Sequence, residues 1–555
     1  MRAQLTRLGF LLLQAFASRV AWVVLLTLYA ATLLIVLAPQ LFSPIGADDS
    51  YWVLYVGPKT GGSYWEAFWG PVENAFSFTG QARTTALATS ERQVVALLAM
   101  DLATLFAIPP AVIWALVKIV LVGLTFLSVF VFLRVWRHRG RDGVERGFSP
   151  STIAFVLIVL PAIYAIGAKS QMEFSLNGWM VYPTLAYGPV AVFLFAASAA
   201  ILLARALSRS FRVWIVPTVV LLAVLAVAAN ISYELIALVV PVVVLAVLLQ
   251  PLPEGGSLWR RWRPRLAVAL AIGVPFTAVF VAIRWRISQL PCQLDGSCYA
   301  GTLVEFSPAT IAKNFLGAFP GRNGAFVQQA VDRAGSWNPV ATGWTIGLGA
   351  VLALLVGLLW ASWRLRHTDE ETAPRDTVLG VLSIIPVLAT IGAGAAVITG
   401  ISVNAVAQVT GMTSYRSGVI IWTAVALSVV LVVRAFALLP GRARALGDVA
   451  LVGLLVVVVG VVGLYYPRNV SSSQLYRAHI KTQAMDAVQW QVALGDLTRG
   501  ADGRRCDTLE RVIESYGEYN PRVERIIVNT YRAYEHYHGQ TYCSTGYGLE
   551  EPDDL

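Results

Sequence analysis

The chain has 555 residues, of which 57% are hydrophobic and 13% charged, with a net charge of +10. Repeated apolar runs of membrane-spanning length on that background exclude a soluble globular protein. The positive balance does not point to nucleic acid, because the basic residues recur as short arginine clusters between the apolar runs and gather on no single element.

Lysine occurs only at Lys59, Lys118, Lys169, Lys313 and Lys481, a bias that GC-rich bacterial coding explains. Met1 to Arg7 is basic and precedes apolar residues, as in a secretory signal. The run from Val20 is long enough to span and ends at no cleavage site, so an uncleaved first helix at about 18–40 is expected. The next segment, 44–105, is too polar to span. It carries Tyr51, Trp52, Tyr55, Tyr64, Trp65, Phe68 and Trp69, rings suited to the headgroup level. Within it Ser90 reads as a helix start, and Val94, Leu97, Leu98 and Leu105 follow, which predicts an interfacial helix over 90–106. Further spans are expected at about 108–135, 151–168, 180–204, 213–230, 234–250, 265–284, 341–363, 377–399, 416–437 and 448–466. The fold class is therefore an all-α polytopic membrane protein of about eleven transmembrane helices.

Arginine-rich segments fall in every second gap: Arg2 and Arg7; Arg134 to Arg146; Arg205, Arg209 and Arg212; Arg260 to Arg265; Arg364 and Arg366; Arg442 and Arg444. Those gaps are read as cytoplasmic, with the amino terminus inside and the tail exported across a bacterial plasma membrane. Residues 1–467 form the membrane domain, with outer loops at 44–106 and 286–340. Residues 468–555 form a small helical exported domain. There Ser471 to Ser473 offers a helix start, Met485, Val488 and Val492 recur at helical spacing, and two more helices are expected at 507–516 and 521–537. Cys292 and Cys298 lie in the second outer loop, and Cys506 and Cys543 in the tail. Cysteines occurring two by two, only on the exported side, predict two disulfides.

The chemically pointed stretch is Gly46-Ala47-Asp48-Asp49-Ser50-Tyr51-Trp52, directly after the first span. Adjacent carboxylates are costly at membrane depth, so they belong in a wet cavity. A turn or helix-capping role is the plainer reading of the same residues. A carboxylate within reach of a sugar hydroxyl can take its proton as the oxygen attacks an anomeric carbon. A lipid phosphate would leave as a stable anion, held by cations. Arg416, at a span mouth, leads the cation candidates, with Lys169, Arg83 and Arg322 behind it; each also suits a lipid headgroup. Lys118 lies inside the second span, where a lysine is either functional or snorkels outward. Glu66, Glu173, Asn177, Glu234 and Trp52 are candidates for contacts to sugar hydroxyls or a sugar face, with Glu234 equally a helix-start acid. A magnesium or manganese ion between Asp48, Asp49 and a third carboxylate is chemically admissible, though no ligand spacing indicates one. His536 and His538 are two apart on a predicted helix, on different faces, which argues against a metal pair. No nucleotide-phosphate loop, dinucleotide fingerprint or serine elbow is present.

The first span, Asp48-Asp49, the long outer loop with its interfacial helix, the many spans and the exported tail together resemble the GT-C superfamily of integral-membrane glycosyltransferases. The resemblance covers architecture over most of the spans and rests on a short motif. It implies a polyprenyl-phosphate-linked sugar as donor, a cell-envelope polysaccharide or glycolipid as acceptor, Asp48 or Asp49 as base, and surrounding membrane lipids. The segment 44–135 also resembles bacterial membrane glucosyltransferases and actinobacterial arabinofuranosyltransferases. Competing readings are a polysaccharide polymerase or ligase using Arg322, Arg333 or Arg416, a transporter or flippase, and an envelope scaffold. Against transport, no repeated halves are detected.

Overall fold

In the computed structural model the described residues are 18–42, 44–45, 47–75, 85–139, 143–167, 183–232, 234–252, 257–291, 307–318, 339–367, 376–401, 415–439, 444–478, 480–495, 500–517 and 521–544. Helix α1 (Arg19–Leu41) is a run of apolar side chains whose start is capped by Ser18, its hydroxyl accepting from the Ala21 amide at 3.1 Å. Three helices follow before the next long apolar one: α2 (Ala47–Thr60), α3 (Tyr64–Glu73) and α4 (Ala86–Phe106). Pro109 and Pro110 then open α5 (Pro110–Val135), where a missing amide hydrogen costs nothing.

A two-stranded hairpin, β1 (Arg137–Arg139) paired antiparallel with β2 (Glu145–Gly147), precedes α6 (Pro150–Gly167), α7 (Pro183–Arg209) and α8 (Phe211–Ser232). A short 3-10 turn (Glu234–Leu238) leads into α9 (Val239–Leu248). The rest of the bundle is α10 (Leu258–Ser288), α11 (Pro308–Gly317), α12 (Pro339–Arg366), α13 (Val378–Leu382), α14 (Ile385–Ile401), α15 (Tyr415–Ala437) and α16 (Arg444–Ala478). The chain ends in α17 (Ile480–Leu494), α18 (Ala501–Tyr516) and α19 (Pro521–His538).

Nine helical segments among the described residues are long and apolar enough to cross a membrane. The run expected at 151–168 forms the 18-residue apolar α6, and that expected at 234–250 forms the 3-10 turn followed by the ten-residue α9. Outward side chains such as Val20, Val220, Leu270, Leu354 and Val456 are exposed apolar groups of the kind that lipid covers. The protein is thus a multi-pass, all-α membrane protein. Within the bundle α12 and α16 approach closely because Gly349 faces the Val459 backbone and Gly463 faces Ile346. Thr345 seals the contact by donating to the Gly463 carbonyl at 2.9 Å.

At one end of the bundle Arg205 donates to the Val135 carbonyl at 2.5 Å and to Gln250 at 3.1 Å. Arg265 donates to the Leu248 carbonyl at 3.0 Å. These guanidiniums satisfy carbonyls at the ends of α5 and α9, which a helix end cannot satisfy within itself. The same bonds gather the carboxyl ends of α5, α7 and α9 with the start of α10. Beside them the buried His138 of β1 faces Asp376 at 3.5 Å and stacks on Phe148.

Two helix starts differ from expectation. The helix expected over 90–106 begins at Ala86, not Ser90: Ser90 is buried and its hydroxyl donates to the carbonyls of Phe68 at 2.6 Å and Ala86 at 3.0 Å. A serine inside an established helix returns its hydroxyl to the preceding turn instead of capping. Likewise Ser471 to Ser473 opens nothing, because α16 runs on through it to Ala478. A span supplies a ready nucleus, so the helix propagates into polar sequence without a new cap.

The opposite end carries a second core, separate from that of the bundle. Val53, Leu54 and Val56 of α2, Ala67 of α3 and Leu97 and Met100 of α4 pack with Met485, Val488 and Val492 of α17, Leu509 of α18 and Ile527 and Tyr534 of α19. The first loop and the tail are therefore one helical body. Cys506 and Cys543 form a disulfide within it; Cys292 and Cys298 lie outside the described residues. A smaller cluster of Ala75, Ala86, Ile231, Ile283 and Ile287 fastens this body to the ends of α8 and α10.

Candidate functional site

Asp48 and Asp49 belong to the first turn of α2, seven and eight residues beyond the end of α1. Acids there complement the positive end of the helix dipole, a sufficient local reason for the helix to start at that point. Their side chains lie outside the described ones.

The end of α1 beside them is held by cations. Lys118, fully buried in α5, does not snorkel; its ammonium donates to the Gln40 carbonyl at 3.3 Å. Arg477, near the end of α16, donates to the Phe42 carbonyl. Asp486 on α17 has its carboxyl pushed up to about 6 by burial, with the Arg477 charge pulling the other way. An acid and two cations from distant parts of the chain therefore stand around the exit of α1.

Trp52 continues α2 in an aromatic group, edge-on to Tyr51 and Tyr55, which stack on each other at 5.3 Å. The Arg92 guanidinium of α4 lies 5.9 Å from the Trp52 ring, and the Lys59 ammonium lies 4.8 Å from Tyr55. Glu66 is exposed in the first turn of α3, where the Ser63 hydroxyl accepts from its amide at 3.3 Å. That is a helix-start arrangement, and it accounts for Glu66 without a ligand.

Asp101 of α4 ties the body together. It accepts from Tyr64 of α3 at 2.8 Å and from Tyr537 of α19 at 2.9 Å. Burial, together with the Asp101 charge, raises both phenols above the ordinary tyrosine range, so they remain donors at any physiological pH. Gly57 permits this approach, since a Cβ there would stand 2.7 Å from the Tyr537 oxygen.

Glu91 combines two properties. It is exposed, yet protein rings it closely enough that desolvation lifts its carboxyl to about 7, against the pull of Arg92. Its Oε1 lies 3.9 Å from where a Cβ on Gly188, five residues into α7, would stand.

The other expected site residues fall outside what is described. Arg416 opens α15 and Glu234 opens the 3-10 turn, in both cases with the side chain outside the described ones. Arg83, Lys169, Glu173, Asn177, Arg322 and Arg333 lie outside the described residues. Among the described residues no three His, Cys, Asp or Glu side chains form a metal-holding group.

Sequence reasoning passed over Arg477, Asp486, Asp101 and Glu91. The first two gain meaning only because the tail folds against the first loop, a contact across more than 400 positions that no local pattern announces. Glu91 sat next to the serine taken as a helix start, where an acid looks ordinary. Comparison with protein families, curated proteins and solved structures finds no match for this chain.

Proposed function

We propose that the protein is an inverting glycosyltransferase that moves a sugar from a polyprenyl phosphate onto a cell-envelope glycan or glycolipid at the exported face of a bacterial plasma membrane. The observation that supports this reading lies at the end of α1, where Lys118 and Arg477 hold the Gln40 and Phe42 carbonyls and Asp486 feels the Arg477 charge, a few residues before α2 begins with Ala47, Asp48 and Asp49. Such a place suits a reaction that separates a proton from a departing phosphate.

One of the two aspartates accepts the proton of an acceptor hydroxyl as its oxygen bonds to the anomeric carbon. The bond from that carbon to the phosphate oxygen breaks, and the phosphate leaves with the electron pair. Cations at the mouth, with Arg416 the first candidate, stabilise it as it departs. Trp52 offers a sugar-stacking face.

Eleven crossings belong to the same proposal. The short helices α6 and α9 each lie between long helices whose ends the Arg205 and Arg265 bonds gather at one face of the bundle, which is consistent with both returning the chain across. The arginine count supports that face as the cytoplasmic one and the body of first loop and tail as exported.

The test is transfer by the purified protein in lipid, with a polyprenyl-phosphate sugar as donor. Asp48→Asn and Asp49→Asn together are expected to lower turnover by at least about a hundredfold with unchanged folding, the scale of a lost general base. Full activity in the double variant would sink the reading, and that result together with an inactive Arg416→Ala would favour a polymerase or ligase run by outer arginines.

A further inference from the structure

The end of the bundle that carries the hairpin gathers more positive charge than its own acids balance. Arg205, near the end of α7, donates to the Val135 carbonyl and to the Gln250 side chain. The same Gln250 oxygen accepts from the Arg137 amide at 3.3 Å, so one acceptor ties α7 to the start of β1. The Arg137 side chain lies over β2, its Nη1 2.8 Å from where a Cβ on Gly147 would stand. Arg209 follows Arg205 by four residues and shares its face of α7. Arg205 therefore feels the like charges of Arg137 and Arg209, with Glu145 as the opposing one.

No carboxylate of a described residue comes within ion-pairing distance of Arg137, Arg205 or Arg209. Arg205 is half-buried, and the other two are exposed. The helix dipole accounts for one arginine at the end of α7. It does not account for three that repel one another, one of them fixed in place by two hydrogen bonds. An anion relieves that repulsion, and guanidinium forks match the paired oxygens of a phosphate.

The surroundings indicate which phosphate. Leu202, 50% exposed, stands seven residues before Arg209 and so on the same line of α7. Helix α8 starts two residues after Arg209 and packs on α7. Its Val213, Val216 and Val220 are exposed at a spacing that sets them on one face. The cations thus cap an apolar surface shared by two spans. A soluble phosphate would use the charges alone, whereas a phospholipid uses both. A choline or amine head would add a positive charge where three already stand, so the occupant is a lipid of net negative charge.

We propose that Arg137, Arg205 and Arg209 hold the phosphodiester of an anionic phospholipid whose acyl chains lie along the outer surface of α7 and α8. This seat is at the opposite end of the bundle from the body that contains α2, and it does not rest on the glycosyltransferase reading.

The experiment uses the full chain in phosphatidylcholine nanodiscs doped with photoactivatable phosphatidylglycerol or with phosphatidylcholine bearing the same photoactivatable chains. Phosphatidylglycerol is expected to label the peptide containing residues 200–220 about tenfold more strongly, the worth of two or so cations near an anionic headgroup. Arg137→Gln with Arg209→Gln should reduce that preference to within about twofold. Among the described residues neither side chain bonds to protein, so the pair should fold normally. Arg260→Gln removes an exposed arginine from the first turn of α10 at the same end and should leave the preference intact.

Equal labelling of the wild type by the two lipids would overturn the seat, as would a preference that survives in the double variant. A loss as large in Arg260→Gln would mean a diffuse positive field and no site. Should the double variant fold poorly, competition in the wild type decides. Unlabelled phosphatidylglycerol should displace the probe while millimolar glycerol 3-phosphate does not; equal displacement by the soluble ester would mean an anion site without a lipid and would overturn the proposal.

Discussion

Asp486 shows how a single carboxyl ties this body to pH. Folding raises it from an ordinary 3.8 to about 6, so the folded chain holds the proton more tightly than the unfolded chain. Stability contributed in this way is present below about pH 4 and is lost as pH rises through about 6. Thermal unfolding of the wild type should therefore fall over that window, and Asp486→Asn should flatten the fall; an unchanged slope would refute the assignment. At Asp101 two phenols share one acceptor. Asp101→Ala strands Tyr64 and Tyr537 and should destabilise by about 1–3 kcal/mol, whereas Tyr537→Phe, which leaves Asp101 its Tyr64 bond, should cost about 1 kcal/mol. Residues of this sort were illegible beforehand. Nothing near Asp101 in sequence hints that its second donor sits 436 positions away, and the same separation hid Arg477.

Helices were far more legible than their ends. Apolar runs such as those of α1 and α5 declare themselves, because a span must bury its backbone polarity internally and be apolar throughout its length. Ser90 and Ser471 misled because a serine caps only where the backbone leaves the helix. Glycines inside spans carry meaning that hydropathy does not register. A Cβ on Gly349 would stand 2.8 Å from the Val459 carbonyl oxygen, so Gly349→Ala should force α12 and α16 apart and cost about 1–3 kcal/mol. Gly453 faces open space and makes the matching control in a detergent stability assay. The Cys506–Cys543 bond closes 37 positions; replacing both with serine should cost about 3–4 kcal/mol by loop entropy, read as a drop in the melting of the tail helices.

At the scale of the whole molecule the first loop and the tail occupy one face. The path between them must therefore cross the bilayer an even number of times, which allows α6 and α9 both to cross or neither. Reporter insertions near positions 142 and 254 should then lie on one side, and an insertion within 168–182 on the other if both cross. A reporter at 168–182 on the same side as 142 would remove the eleven-span topology.

The shared core also has a consequence for biosynthesis. Synthesis proceeds from the amino end, so Val53, Leu54 and Met100 emerge long before Val488 and Ile527, their partners, exist. Until the last helices are made, the half-built chain presents an uncovered apolar scar. A ribosome stalled within α16 would leave that scar permanent, and quality-control proteases should clear such a fragment faster than the finished protein.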